Sequence, residues 1–291
     1  IPVHFIGERS SHEVLKAKNL GISYDHLLLF SNASFTLYYQ EKIVLLGNNG
    51  SGKTSFIKAL LGHLTSYTGE LEVAETTKIG YIPQEIRFKD NSDSILQAFR
   101  REVPCLEGEA RRILAKYDIY KDQVFKRVGN LSGGEKVLLK LAILMQNEIN
   151  FLILDEPTAG LDPKERIHFR KLISSFAKDK IVILSTHIVS DVEQIADQIL
   201  LLKRGSILTQ GTVEKLTDHI LGKVWECEID EDDLSTITDN FCVTNQHISG
   251  NKIVLRVVGD NKPLFGNVKP LMPTLEDLYM YYFQEDENER R

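Results

Sequence analysis

Short apolar runs bounded by turn residues recur along the chain and decide its predicted fold. Five of them have the length of a strand, at Ile43–Leu46, Ile79–Ile82, Phe151–Leu154, Ile181–Leu184 and Ile199–Leu202. A continuous apolar run of this length is typical of a strand buried on both faces, and helical patterns separate several of the runs. The pattern therefore predicts an α/β fold with a mostly parallel sheet.

Residues 85–145 break this alternation. No buried strand pattern occurs between Gln84 and Leu131, and the sequence predicts helices instead, at Ser94–Arg101, Glu107–Tyr117 and from Glu135 to about Ile149. The first two are rich in charge on one side, whereas the third has a broad apolar face. We expect residues 85–145 to form a helical insertion that packs beside the sheet.

Antiparallel structure is expected before the first buried run. Leu27–Leu37 has the pattern of an antiparallel edge, with Ser31 and Asn32 at its turn. Asn and Ser favour turns because their short side chains can hydrogen-bond to the nearby backbone. The sheet should therefore carry an antiparallel edge beside its parallel core.

The pattern changes again near Leu221 and Gly222. Beyond them, the sequence predicts two strands and a closing helix, at Val224–Ile229, Lys252–Val258 and from Leu275 to about Phe283. A turn at residues 249–251 joins the strands, and Thr274 is the expected N-cap of the helix. The chain thus divides into a first domain, residues 1–221, and a small α+β accessory domain, residues 222–291.

Composition and charge indicate a globular protein and argue against a nucleic-acid surface. The chain has 291 residues, 42% of them hydrophobic and 26% charged, which is ordinary for a globular protein. Residues 222–291 contain 7 Lys or Arg and 14 Asp or Glu, a net charge of −7, so residues 1–221 carry +1 of the total of −6. Such an acidic region does not suit a nucleic-acid surface, and a solvated face is its simpler explanation.

The apolar runs and the cysteines limit the location of the protein. No run approaches the roughly 18 residues needed to span a bilayer, so any membrane span would belong to another chain. Cys105, Cys227 and Cys242 are odd in number and form no CxxC pair. Reduced thiols in the cytoplasm are therefore expected, rather than a disulfide framework or a metal site.

A glycine-rich segment directly follows the first buried run. Its residues are Gly47, Asn48, Asn49, Gly50, Ser51, Gly52, Lys53 and Thr54. A loop of this composition between a strand and a helix points backbone N–H groups at a phosphate chain, and the helix dipole adds to the attraction. We expect Lys53 to reach the terminal phosphates and the Thr54 hydroxyl to ligate Mg²⁺. A glycine-rich surface turn is the alternative.

Two acids, Asp155 and Glu156, directly follow the run Phe151–Leu154. They should lie at the carboxyl end of a buried strand, where open α/β sheets bind their ligands. Asp155 is expected to hold Mg²⁺, directly or through water, and Glu156 to orient and deprotonate an attacking water. The alternative is that the pair caps a following helix, which a phosphate loop upstream makes less favoured.

Residues 131–135, Leu-Ser-Gly-Gly-Glu, open the long helix of the insertion. Ser132 and Glu135 have the spacing of a capping box, which would start any helix well. The two glycines exceed what a cap requires, because glycine costs backbone entropy. They are explained if the Ser132 hydroxyl and the amides of Gly133 and Gly134 donate to a γ-phosphate.

The phosphate loop, LSGGE, FLILDEPT and the His that follows IVILST together resemble an ABC ATPase, over about residues 14–221. The resemblance implies a P-loop NTPase fold and two further roles. Gln84 would sense Mg²⁺ and the γ-phosphate, and His187 would contact the γ-phosphate and the attacking water. A turn Gln and a structural His are the alternatives.

The resemblance also implies a composite site. Residues 159–162 are similar to the segment that joins two protomers, and Tyr24 lies where the family stacks an aromatic ring on adenine, although an ordinary strand tyrosine fits almost as well. In the family, LSGGE of one protomer closes over the nucleotide of the other. With one copy of each element, this chain is expected to form a homodimer around two ATP molecules.

Two branches of the family are represented along the chain. Up to about Thr158 it resembles the second ATPase domain of ABC-F translation factors, in residues 103–105, 109–116 and 139–144. From about Ala159 it resembles the ATP-binding subunit of an exporter, in residues 160–166, 185–191 and 273–277. The expected function is that of an exporter ATPase on the cytoplasmic face of a membrane, bound to an integral membrane permease. The alternative is an ABC-F ATPase that binds ribosomes, and a hybrid chain is also open.

Overall fold

A computed structural model of the protein describes residues 4–6, 13–24, 27–64, 67–158, 160–178, 180–264 and 266–288. The chain forms two compact units, Ile1–Leu208 and Thr209–Arg291. This division comes earlier than the boundary at Leu221 and Gly222 expected from the sequence, so the domain limits 1–221 and 222–291 stay a prediction.

The first unit is built on one sheet, to which the described residues contribute ten strands. They are β1 (His4–Ile6), β2 (Glu13–Tyr24), β3 (Leu27–Tyr38), β4 (Lys42–Leu46), β5 (Tyr67–Ala74), β6 (Ile79–Ile82), β7 (Phe151–Asp155), β8 (Ile181–Thr186), β9 (Gln198–Lys203) and β10 (Ser206–Gly211), which runs into the second unit. Five of them pair in parallel in the spatial order β6–β7–β8–β4–β9. These five contain the five apolar runs, which confirms the predicted parallel core.

Helices cover this parallel core. α1 (Lys53–Leu60) contacts β7 and α6 (Val189–Val192) contacts β4, while α5 (Pro163–Phe176) follows β7 along the chain. Every residue of β7 and β8 is buried, and Phe56 of α1 packs edge-on against Phe35 of β3 at 5.4 Å between ring centroids. Burying such a side chain contributes roughly 1.5–3 kcal/mol, so the layer of helix on sheet is held by the hydrophobic effect.

The predicted turn at Ser31 and Asn32 is wrong. β3 runs through both residues as one strand, which pairs with β2 in antiparallel fashion. Asn32 has a φ angle of 57°, and the pairing shifts between Leu20 opposite Ala33 and Ile22 opposite Phe30. This geometry is a β-bulge, with one extra residue on β3, and Asn tolerates its left-handed backbone. The sequence signal for a turn was therefore the signal of a bulge.

The helical insertion forms as predicted. It contains α2 (Ile95–Glu102), α3 (Glu107–Ala115) and α4 (Gly133–Leu144). Ser94 starts α2 with a capping box, in which its hydroxyl accepts from the N–H of Gln97 at 3.2 Å. α4 ends five residues before the predicted end at Ile149. Ile149 is nevertheless buried, because its side chain packs over Gly80 of β6, and this contact explains the longer apolar pattern.

The second unit is an α+β structure. Its described residues form α7 (Val213–Thr217), β11 (Val224–Ile229), α8 (Leu234–Asn240), β12 (Cys242–Ser249), β13 (Lys252–Val258), β14 (Asn267–Pro270) and α9 (Leu275–Asn288). The strands form an antiparallel sheet in the order β12–β13–β11–β14. β11 and β13 have the predicted bounds, whereas α9 runs past the predicted end. In neither unit do the described helices include one long and apolar enough to cross a membrane.

A buried carboxylate, Asp277, ties α9 to the sheet of the second unit. It accepts hydrogen bonds from Arg256 Nη2 at 2.6 Å, Thr244 Oγ1 at 2.9 Å, and Thr274 N at 2.8 Å. Burial alone would raise the pKa of Asp277, but these donors, Arg256 first among them, hold it below its ordinary value. The charged form is thus the one that the fold requires.

We expect Asp277→Asn to lower the free energy of unfolding of the second unit by about 3 kcal/mol, because it leaves Arg256 without its counter-charge. Urea unfolding followed by the fluorescence of Trp225, the single tryptophan of the chain, measures this unit. A depressed pKa stabilises the fold above the ordinary pKa of Asp, and this stabilisation is lost as the pH falls through the folded pKa. In Asp277→Asn, the free energy of unfolding should not show this decrease at low pH.

The matched control is Glu276→Gln, an exposed acid on the same turn of α9. It should change the free energy of unfolding by no more than about 0.5 kcal/mol. Equal effects of the two substitutions would contradict the role assigned to Asp277.

Candidate active site

Three neighbouring strands deliver the side chains that the sequence singled out. β4, β8 and β7 lie side by side in parallel, so their carboxyl ends meet at one edge of the sheet. The glycine-rich loop follows β4, β7 ends at Asp155, and His187 comes directly after β8. The sheet order therefore explains how segments more than 100 residues apart form one site.

The loop of residues 47–52 uses the backbone conformations that glycine allows. Gly50 and Gly52 have φ angles of 80° and 99°, where a Cβ would be strained. A Cβ at Gly47 would overlap the carbonyl oxygen of Leu202. The loop leads directly into α1, a helix of eight residues, so that the helix N-terminus lies beside the loop. Such an arrangement suits a phosphate chain.

A cavity of about 300 Å³ lies against this loop. The loop, the first turn of α1 and two side chains from other segments line it: Asn49, Gly50, Gly52, Lys53, Thr54, Ser55, Gln84 and Glu156. The cavity thus brings the phosphate-loop residues together with Gln84 and Glu156.

Lys53 is buried at the floor of the site. Its ammonium donates to the carbonyl oxygens of Gly47 at 2.8 Å and Asn48 at 3.0 Å, and it lies 3.2 Å from Glu156 Oε1. The side chains of Lys53 and Glu156 are 3% and 9% exposed. All three donors of this ammonium therefore have a partner, which a buried charge requires.

Asp155 is held by hydroxyl groups from three elements. Ser185 of β8 donates to Asp155 Oδ1 at 2.7 Å, and Thr54 of α1 donates to the same oxygen at 3.2 Å. The Tyr81 hydroxyl is the third, and burial together with the Asp155 carboxylate raises the pKa of Tyr81 to about 12. Asp155 is 1% exposed and keeps a fixed direction.

Oxygen donors of this kind fit a Mg²⁺ ion. Mg²⁺ binds oxygen ligands, and it usually takes one or two from the protein and the rest from phosphates and water. Thr54 Oγ1 and Asp155 Oδ1 lie 3.2 Å apart beside the loop, and the amide group of Gln84 lines the same cavity. The residues predicted to hold the metal therefore form a suitable set.

Glu156 is the point at which the predicted catalytic residues meet. Its Oε2 accepts from Gln84 Nε2 at 3.2 Å and lies 3.6 Å from His187 Nδ1, while Oε1 pairs with Lys53. Its own φ angle is 48°, a conformation that a non-glycine residue seldom adopts. Ser185 fixes this turn, because its hydroxyl and its carbonyl oxygen both accept from the Glu156 N–H, at 2.9 and 3.2 Å.

The LSGGE residues lie apart from this cavity. Ser132 is the N-cap of α4, and its hydroxyl accepts from the N–H of Glu135 at 3.1 Å, as the capping-box alternative stated. Gly134 is buried, and a Cβ there would lie 2.5 Å from Glu165 Oε2, whereas Gly133 is exposed. Within the described residues, close packing against α5 already explains Gly134. Ser132, Gly133 and Gly134 are not among the residues that line the cavity.

Two further predictions fall at the limits of the described residues. Tyr24 is the last residue of β2, but its side chain lies outside the described residues, so stacking on adenine stays a prediction. Ala159 also lies outside them. Asp162, in the same predicted segment, caps α5 by accepting from the N–H of Glu165 at 2.7 Å.

Sequence reasoning missed Ser185 and Glu165. Ser185 belongs to a buried strand, where a hydroxyl is unusual, and that position was the available signal. Glu165 accepts from the Ser132 hydroxyl at 3.2 Å. Its sequence signal was the spacing Asp162 to Glu165, which is that of a second capping box.

We expect Ser185→Ala to lower the local free energy of opening of β7 and β8 by about 1–2 kcal/mol, because Asp155 loses a buried donor and the Glu156 turn loses an acceptor. Native-state amide hydrogen exchange in the two strands measures this change.

Ser175→Ala is the control, because the exposed Ser175 hydroxyl donates to the Leu172 carbonyl of its own helix. It should leave the exchange of β7 and β8 unchanged. If β7 and β8 exchange at the same rate in Ser185→Ala as in this control, Ser185 does not stabilise the positions of Asp155 and Glu156.

Comparisons with known proteins show which proteins this chain is similar to. A family model described as ABC transporter matches residues 30–159. The uncharacterized ABC transporter ATP-binding protein YxlF of Bacillus subtilis (strain 168) is 31% identical over 230 residues, which cover 75% of this chain and 77% of YxlF. The Nod factor export ATP-binding protein I of Burkholderia orbicola (strain AU 1054) is 27% identical over 277 residues, covering 87% of this chain and 88% of that protein.

An importer subunit and a solved structure extend the comparison. The zinc import ATP-binding protein ZnuC of Wolbachia pipientis wMel is 30% identical over 217 residues, covering 71% of this chain and 86% of ZnuC. The ATP-binding cassette MJ0796, solved as a dimer in a post-hydrolysis state with ADP and Pi, has a similar fold, with a TM-score of 0.58 and 19% identity. That likeness covers 68% of this chain and 98% of MJ0796, and it concerns the fold alone.

Proposed function

The chain belongs to the ABC transporter family of ATP-binding proteins, and from that premise we propose that it binds ATP with Mg²⁺ and hydrolyses it to ADP and phosphate. The observation that carries this proposal is the convergence of Lys53, Gln84 and His187 on the Glu156 carboxylate beside the phosphate loop. Phosphoryl transfer to water needs a cation, polar groups that position the reactants and a base. Lys53 is the cation, Gln84 and His187 are the polar groups, and Glu156 is the base.

The loop residues bind and orient the triphosphate. The loop amides beside the cavity and the N-terminus of α1 receive the phosphate oxygens, and Lys53 pairs with the terminal phosphates. A Mg²⁺ ion held by Thr54 and Asp155, with Gln84 beside them, would neutralise charge that develops on the phosphates. Catalysis then depends on position and charge rather than on a covalent intermediate.

Glu156 acts as the general base. Its carboxylate orients the attacking water and takes its proton, while His187 holds the water and the γ-phosphate in line. In the described structure Glu156 is paired with Lys53 at 3.2 Å. Phosphates that attract Lys53 would release this carboxylate, so substrate binding and activation of the base are joined in one exchange of partners.

The working unit is a homodimer with two composite sites. Ser132, Gly133 and Gly134 lie at the start of α4 and not at the cavity of their own chain. A second copy can bring these groups to the γ-phosphate, and ATP then joins the two protomers. The dimeric state described for MJ0796 supports this arrangement.

The dimer serves an exporter, bound to an integral membrane permease at the cytoplasmic face. The match to the Nod factor export protein covers 87% of this chain, more than the first unit, Ile1–Leu208, can supply alone. It therefore reaches into the second unit. The name of this relative, whose match includes part of the second unit, supports the assignment to export.

The ribosome-associated ABC-F function is the less favoured alternative. The names of YxlF, the Nod factor export protein and the zinc import protein all refer to transport, and the matches to the first two cover 75% and 87% of this chain. Affinity purification of the chain from cells separates the two functions. Recovery of an integral membrane protein supports export or import, and recovery of ribosomal subunits supports the alternative.

We expect Glu156→Gln to keep ATP binding and to abolish hydrolysis, since the amide cannot accept a proton from water. The variant should accumulate as an ATP-bound dimer, seen by size-exclusion chromatography with light scattering. Turnover should fall at least about 10²-fold, the range in which general bases contribute.

Glu85→Gln is the control, since this exposed acid pairs with Arg87 and lies outside the cavity lining. It should hydrolyse ATP at the rate of the unchanged chain. Full activity of the Glu156→Gln variant would contradict the assignment of Glu156 as the general base. A variant that binds ATP but stays a monomer would contradict the composite site.

A further inference from the structure

Two capping boxes meet between α4 and α5, and Glu165 contacts both. In the box of α5, Glu165 Oε2 accepts from the N–H of Asp162 at 3.1 Å. In the box of α4, the Ser132 hydroxyl accepts from the N–H of Glu135, and the same hydroxyl donates to Glu165 Oε1 at 3.2 Å. The carboxylate of Glu165 therefore links the starts of the two helices.

The backbone is shaped for this contact. A Cβ at Gly134 would lie 2.5 Å from Glu165 Oε2 and 2.7 Å from Leu161 Cδ2, closer than real Cβ atoms come to other groups. Glycine at this position is what allows the carboxylate to reach Ser132. The contact between Ser132 and Glu165 is thus part of the packing of α4 against α5.

Glu165 and Glu135 differ in their charged neighbours. Glu135, the counterpart of Glu165 in the box of α4, is bound by Lys126 Nζ at 2.6 and 2.8 Å. For Glu165, the described part of the chain provides no Lys, Arg or His within 4 Å. An unpaired carboxylate is a strong hydrogen-bond acceptor, because hydrogen bonds to an ionised group are about twice as strong as neutral ones.

A serine hydroxyl has one proton, so it donates one strong hydrogen bond at a time. If Ser132 serves the γ-phosphate of a second protomer's ATP, as the proposed function requires, its proton must leave Glu165. Glu165 also places a negative charge beside the point where a polyanion would dock, which disfavours that anion. Both effects act against closure of the dimer.

We propose that Glu165 is a positioning residue that holds the Ser132 hydroxyl away from the nucleotide until ATP joins the protomers. The inference rests on the proposed function, and it adds a regulation of the same site. Through this carboxylate, the start of α5 opposes the closed dimer and sets the ATP concentration at which two chains associate.

The test uses the full chain with Glu156→Gln as background, in which hydrolysis does not disturb dimerisation. Glu165→Gln keeps the length, the capping geometry and an acceptor oxygen, but it removes the charge. The ATP concentration that gives half of the dimer, measured by light scattering with Mg²⁺, should fall about five-fold. Glu109→Gln, which removes an exposed charge at the third residue of α3, should leave it unchanged.

A second comparison shows whether Glu165 acts through Ser132. In chains that also carry Ser132→Ala, Glu165→Gln should change the half-dimer concentration less than two-fold. Structural damage alone would raise the half-dimer concentration, so an increase overturns the inference. An unchanged concentration also overturns it, and so does a five-fold fall that persists in chains with Ser132→Ala. If Glu156→Gln itself forms no dimer with ATP, the proposed function fails instead.

Discussion

The ion pair between Lys53 and Glu156 is the interaction on which the site depends. Its atoms lie 3.2 Å apart, and both side chains are almost fully buried. Burying two charges is costly unless each has further partners. Lys53 finds them in two loop carbonyls, and Glu156 in Gln84, with His187 at 3.6 Å. The ion pair therefore depends on the glycine-rich loop lying beside the carboxyl ends of β7 and β8.

The rest of the first unit supplies that meeting point. Parallel pairing brings β4, β8 and β7 to a common edge, and glycines let the loop pass close to its neighbours. Ser185 then fixes both Asp155 and the strained backbone of Glu156. Under the proposed function, a triphosphate replaces Glu156 as the partner of Lys53. Before ATP binds, Lys53 therefore pairs with the Glu156 carboxylate, and after ATP binds this carboxylate is free to accept a proton from water.

The sequence predicted those parts whose signal is local. Strands buried on both faces are continuous apolar runs, so all five central strands were found, together with the loop and the acids that follow them. The bulge at Asn32 was mistaken for a turn, because both need a residue that tolerates a positive φ. The end of α4 was missed, because Ile149 is buried by a contact with Gly80, distant in sequence. Contacts of Ser185 and Glu165 depend on the tertiary structure and left only weak traces.

The most direct measurement is a crystal structure of the unaltered chain with Mg²⁺ and a non-hydrolysable ATP analogue. The account predicts two chains around two nucleotides, with Lys53 Nζ within hydrogen-bond distance of the phosphates and no longer on Glu156. Glu156 should then face a water beside the terminal phosphate. A nucleotide bound to a single chain whose Lys53 still pairs with Glu156 would contradict it.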